Sequence, residues 1–207
     1  MRHPHLPLLA ALALALGGCA SLSKDQCLSG DWRQIGFNDG LKGYASEELD
    51  KHAKACAEYG VQPQFDQYHE GRSRGLLNYC QPDSAFNQGR AGNRPNAPAC
   101  PPNMRLDFET EYRRGAEIYA MESELGNLRG RLGSNDNLLH ANNRRINEIR
   151  ATLDRAELGA DARKNLLNEF NRLVNDNNNI VRDNDYLRRD IERRYDMLRR
   201  RLNDFGR

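Results

Sequence analysis

Apolar residues recur at alternating steps of three and four along the second half of the chain. One row runs through Ile118, Leu125, Leu132, Leu139, Ile146 and Leu153, and the other through Met121, Leu128, Asn135, Asn142, Ile149 and Ala156. A sustained period of 3.5 places both rows on one seam of a long helix. Gly159 ends the pattern, and Asp161 offers an N-cap for a second helix. The next run passes through Leu166, Phe170, Leu173, Asn177, Ile180, Asn184, Leu187, Ile191, Leu198 and Phe205. Folding the chain back near 159–160 sets Asn142 against Asn177 and Asn135 against Asn184, with apolar pairs between and beyond them. Asparagine layers fix a register, because any slip strands an amide opposite leucine. The pattern therefore predicts an antiparallel coiled-coil hairpin over residues 106–207. Two features work against it. At the base Leu125 meets Arg194 and Ile118 meets Arg201, so the arms are expected to splay there or to lie against the preceding segment. Gly126, Gly130 and Gly133 threaten a break in the first arm, and self-association as an intermolecular bundle is the rival arrangement.

Residues 27–105 read differently. An aromatic-x-x-Gly unit recurs at Phe37–Gly40, Tyr68–Gly71 and Phe86–Gly89, and again at Tyr112–Gly115. Gly43, Gly75 and Gly92 follow the first three at a further step of three or four. On a helix such positions share a face, so a ring would stand beside bare glycines that admit a second backbone. Short helices crossing tightly at glycines are predicted, with proline-rich 92–103 as an irregular linker. No strand precedes these glycines and no Gly-Lys-Ser/Thr follows, which argues against a phosphate loop. Together with the hairpin this gives an all-α chain.

The N-terminus is an apolar run, Leu6–Leu16, behind Arg2 and His3. It is too short to span a bilayer, where about 20 residues are needed, and suits an export signal over 1–18. Leu16-Gly17-Gly18-Cys19 resembles the lipobox of bacterial lipoproteins. The resemblance implies acylation of Cys19 with palmitate-type chains, and Ala20 in place of an aspartate implies the outer membrane. Residues 19–26 are then a lipidated tether.

Setting Cys19 aside leaves Cys27, Cys56, Cys80 and Cys100, an even number confined to the head. In an oxidising compartment four such cysteines read as two disulfides. Three pairings are possible and spacing does not choose among them; Cys27–Cys56 with Cys80–Cys100 closes the shortest loops. The head needs staples, since residues 27–102 hold only ten Leu, Ile, Val or Phe. A metal site built on His52 and Cys56 is the competing use of these side chains, and no C-x-x-C accompanies it.

Three blocks within this head carry a resemblance. They are Cys27-x-x-Gly30-Asp31-Trp32-x-x-Ile35-Gly36-x-x-Asp39-Gly40, His52-x-x-x-Cys56-x-x-x-Gly60-x-x-Pro63, and Tyr68-x-x-Gly71-Arg72-x-x-Gly75-Leu76-x-x-Tyr79-Cys80. Together with Cys100-Pro101 they resemble domain-of-unknown-function family 2799 (DUF2799), bacterial lipoproteins whose pattern often continues into a coiled-coil tail. The resemblance implies an envelope location and no particular activity.

Composition narrows the function further. Charged residues make up 29% and apolar residues 38%, which argues against a large enzyme core, and a net charge of +2 gives no case for nucleic acid. Residues 188–207 carry eight arginines against four acids, with Asp190–Arg194 and Asp196–Arg200 spaced to pair along a helix. No spacing selects a catalytic set, and neither cofactor nor metal is implied. The expectation is a noncatalytic lipoprotein of the outer membrane, facing the periplasm and offering its hairpin to envelope proteins. The alternative is a module that binds cell wall or another polyanion through the head. Candidate binding residues there are Asp31, Trp32, Asp39, His52, Tyr68 and Arg72, with Tyr44 and Tyr79 as further groove aromatics.

Overall fold

Seven α-helices and one 3₁₀ turn, with no strand, make up the residues described by the computed structural model, 21–155 and 157–207. The signal segment, Cys19 and Ala156 lie outside the described residues. The helices are α1 (Lys24–Ser29), α2 (Trp32–Leu41), α3 (Glu48–Ala57), α4 (Phe65–Tyr79), α5 (Pro82–Arg90), α6 (Pro102–Arg155) and α7 (Ala160–Asp204), with the 3₁₀ turn at Ala97–Ala99. They form two compact units. One holds α1–α4 and Asn96–Arg105; the other holds α5 and Leu106–Arg207. Segment 82–95, which the sequence groups with the head, thus packs with the long helices.

In the first unit, α2 and α4 cross at glycines. A Cβ on Gly36 would overlap the Tyr68 carbonyl, one on Gly40 the Arg72 carbonyl, one on Gly71 the Arg33 carbonyl and one on Gly75 the Phe37 carbonyl. The four bare Cα atoms let two backbones touch. Gly43 is not on the helical face the spacing suggests. It follows the helix with φ +70°, a left-handed conformation suited to glycine, under the ring of Tyr79. Both disulfides lie in this unit, Cys27–Cys56 and Cys80–Cys100, with Cα separations of 5.4 and 5.7 Å. This is the shortest-loop pairing. The linker is tied down as well, with the Asn96 N–H donating to the Tyr79 hydroxyl and the Asn96 side-chain amide donating to the Gly43 carbonyl.

The second unit repeats half of this arrangement, with Ala85 and Glu111 where the first has Gly36 and Gly71. Gly89 of α5 faces the Tyr112 carbonyl, and Gly115 of α6 faces the Phe86 carbonyl. Gly92 comes after α5 with φ +70° under the ring of Tyr119. Even the turn bonds correspond: Gly43 and Tyr44 donate to Gly40 and Asp39, and Gly92 and Asn93 donate to Gly89 and Gln88. In the first copy Arg72 donates to the Tyr44 carbonyl; in the second the Tyr112 hydroxyl donates to the Asn93 carbonyl. By these contacts Phe37–Gly40 corresponds to Phe86–Gly89, and Gly115 corresponds to Gly75, so the two crossings are related but the Tyr68–Gly71 and Tyr112–Gly115 motifs are not equivalent.

Beyond α5, the long helices form the predicted hairpin. Asn142 donates to Asn177 at 2.8 Å and Asn135 to Asn184 at 2.9 Å, the register expected from the sequence. Each layer also recruits neighbours: Asn184 donates to Asp136, Asn135 to Asp183, and Asn177 to Asn143. Helix α6 runs unbroken through Gly126, Gly130 and Gly133, each of which faces open space. The base does not splay. Ile118 and Leu125 are buried with Phe86 of α5 and Leu198, flanked by Met121, Ile191, Leu202 and Phe205. Arg194 and Arg201 turn aside to Glu124 and Glu117. A third helix supplies the apolar partner that the two-helix register lacks.

Candidate functional site

Helix α3 is amphipathic, burying Leu49, His52 and Cys56 at helical spacing. The disulfide from Cys56 to Cys27 turns that face inward, and His52 goes with it. Across from it, α2 presents Asp39 and α4 presents Tyr68. The His52 Nε2 lies 2.7 Å from Asp39 Oδ2, and the Tyr68 hydroxyl donates to the same oxygen at 2.8 Å. All three side chains are buried. The remaining imidazole nitrogen, Nδ1, lies 2.8 Å from the hydroxyl of half-buried Ser21.

The network satisfies every group that burial would otherwise penalise. In the neutral imidazole, Nε2–H donates to the carboxylate and Nδ1 accepts from Ser21. In the imidazolium both nitrogens donate. Burial, and then the bond to Asp39, pushes the Tyr68 phenol well above its ordinary value, so it stays a donor. Chemically the set joins carboxylate, imidazole and phenol and can grip a hydroxyl at Nδ1.

Of the six candidate binding residues, the structure brings Asp39, His52 and Tyr68 together and scatters the rest. Asp31 is exposed and caps α2, accepting from the Gln34 N–H at 3.1 Å. Trp32 is buried in the core with Leu22, Cys27, Ile35, Leu49, Cys56 and Tyr68. Arg72 holds the Tyr44 carbonyl with two bonds, 2.9 and 2.7 Å long. Tyr79 is buried as well, so the expected groove aromatics mostly build core, and Tyr44 alone is exposed. A shallow hollow of about 320 Å³ beside Arg72, with Ser46, Glu47 and Asn96 in its walls, is a polar recess on this unit. The rival metal reading of His52 and Cys56 gives way, because the thiol is bonded to Cys27 and both imidazole nitrogens face other partners.

Ser21 was not legible. It lies 31 residues from His52, within the stretch read as a tether, and nothing in its spacing marks it. From Ser21 onward the chain is not a free tether: Leu22 is buried in the core, and Ser23 and Gln26 form a reciprocal capping box that starts α1.

The second copy of the crossing provides a comparison within one chain. By the turn bonds and glycine contacts, Asp39 corresponds to Gln88 and Tyr68 to Phe108. Gln88 is half-buried and Phe108 fully buried. The helix crossing thus forms without the acid–phenol pair.

No curated protein and no solved structure matches the chain. Residues 31–117 match the family model described as protein of unknown function DUF2799, a span that takes in Asp39, His52, Tyr68 and both glycine crossings but not Ser21. The segment 31–117 is a DUF2799 segment.

Proposed function

We propose that this chain is a noncatalytic cell-envelope lipoprotein, acylated at Cys19 in the outer membrane, that presents its helical hairpin to periplasmic proteins. The hairpin carries the reading. Two helices of 54 and 45 residues are held in one register by the asparagine layers. Their outward positions expose large apolar side chains, among them Leu138, Val181, Tyr186 and Met197. A rod of this kind encloses no reaction space and offers length and surface instead.

The buried network fits the same reading. Both donors to Asp39 converge on one oxygen and the imidazole is buried, which suits a structural role better than contact with a substrate. A specific turnover abolished by His52→Ala in folded protein would overturn the noncatalytic assignment.

Site-specific photo-crosslinking in the full-length chain tests the interaction role. Probes at Leu138, Val181 and Tyr186 are expected to capture the same envelope protein in living cells. Probes at Leu28 and Leu77, equally exposed in the first unit, serve as the comparison. Capture confined to the Leu28 and Leu77 probes would sink the hairpin reading and favour the head as the binding part.

A further inference from the structure

We infer that the Asp39–His52–Tyr68 network is a socket for the anchor-proximal segment, and that it docks the first unit directly on the lipid surface. The inference rests on the lipoprotein reading of Cys19. Its starting point is the internal comparison: a related helix crossing, with two of the four glycine contacts, forms in the second unit with Gln88 and Phe108 at the corresponding positions. The polar network is therefore not a requirement of the crossing. What it adds in the first unit is a tie from α3 to the crossing, through His52 and Asp39, and beyond it a grip on Ser21.

That grip is one of several in a few residues. His52 holds the Ser21 hydroxyl at 2.8 Å. Leu22 is buried with Trp32, Leu49 and Tyr68. The capping box fixes Ser23 and Gln26, and Cys27 is bonded to Cys56. A segment meant to float would carry none of these fastenings.

Chain length then sets the distance to the membrane. Cys19 precedes Ser21 by two residues, which span at most about 7 Å when extended. With the cysteine sulfur acylated and its chains in the bilayer, a fastened Ser21 cannot leave the headgroup region. The surface around Ser21 and α1 faces lipid, and the first unit has no freedom to swing away.

Energy transfer in proteoliposomes tests this. The full-length lipidated chain carries a donor introduced as an unnatural residue at Leu28, and headgroup-labelled phosphatidylethanolamine is the acceptor in phosphatidylethanolamine–phosphatidylglycerol vesicles. The reference is the same chain with a flexible insert of about ten residues before Ser21, which adds up to about 35 Å of reach. Wild-type transfer is expected to be well above the reference, and to fall only slightly in Ser21→Ala and His52→Ala, because Leu22, the capping box and the Cys27–Cys56 bond still hold residues 22–27 in place. Ser21→Ala removes only one half-buried hydroxyl and keeps the fold intact, so it carries the test if His52→Ala does not fold. Hydrogen exchange at residues 22–26 is expected to rise about five- to tenfold in Ser21→Ala, reflecting one lost hydrogen bond.

Wild-type transfer no higher than the reference, with Cys19 acylated by intact mass, overturns the docking and leaves the lipoprotein reading standing. An unmodified Cys19 overturns the lipoprotein reading and the docking with it. Unchanged exchange in Ser21→Ala overturns the socket.

Discussion

An alanine at Gly40 or Gly75 would place its methyl group inside the backbone of the facing helix, where no side chain can yield. The crossing must then open, and each substitution is expected to cost roughly 3 kcal/mol or more, the range of severe overpacking. Gly126, Gly130 and Gly133 face open space within the same kind of helix. There alanine is expected to stabilise by up to about 1 kcal/mol, since it restricts the unfolded chain and meets nothing in the folded one. Urea melts of Gly40→Ala and Gly130→Ala should shift in opposite directions; a shared direction would contradict the assigned environments. Tyr68→Phe tests the buried network at the same scale. Asp39 loses one donor, a cost of about 1–3 kcal/mol at neutral pH. The sign with pH is fixed by the raised phenol: the unfolded chain ionises from about pH 10 while folded Tyr68 does not, so the native protein loses stability above that pH. Tyr68→Phe should lessen this alkaline decline in thermal melts.

Among the elements, the hairpin was the most legible because its information is local and periodic. The seam and asparagine layers appear in the sequence as a register, and the structure keeps it. The base was legible in part: the mismatches at Leu125 and Ile118 point to splaying or to contact with the preceding cysteine-rich segment, and the second holds, but periodicity within two arms does not show that Phe86, more than thirty residues earlier, is the partner. The network was half legible in the same sense. His52 shares an inward face with Cys56, but Ser21 joins it through tertiary folding alone. The layers themselves can be tested by a double-mutant cycle. Asn142→Leu leaves the Asn177 carbonyl without its donor and should cost about 1–2 kcal/mol, whereas Asn142→Leu with Asn177→Leu should recover most of it. Charge acts along α7 as well. Arg193 and Arg194 hold the Asp190 carboxyl below its ordinary range. A depressed carboxylate contributes stability above about pH 4, the unfolded value, and loses it as pH falls through the folded one. Asp190→Asn should therefore show a smaller drop in Tm between pH 7 and pH 3 than the wild type.

At the scale of the whole molecule, the covalent staples are divided unevenly, and this makes the two units separable by chemistry. Cys27–Cys56 and Cys80–Cys100 both lie in the first unit, where the core is small, and the second unit contains no cysteine. Each bridge contributes roughly 2–4 kcal/mol, chiefly by restricting the unfolded chain. Reduction should therefore weaken the first unit by an amount comparable to the whole stability of a small domain, and reach the second unit only through Cys80–Cys100, whose loop contains α5. Two signals report on them independently. Trp32 is the one tryptophan in the chain and is buried in the first unit, so its emission follows that unit alone. Far-ultraviolet dichroism is dominated by α6 and α7, whose asparagine layers and apolar base lie in the second unit. Oxidised protein should show the fluorescence transition at high temperature. With dithiothreitol that transition should fall by many degrees while the main dichroic transition falls far less, since only the α5 loop of the second unit is released. A dichroic midpoint that falls together with the fluorescence midpoint would show one cooperative structure and would refute the independence of the hairpin.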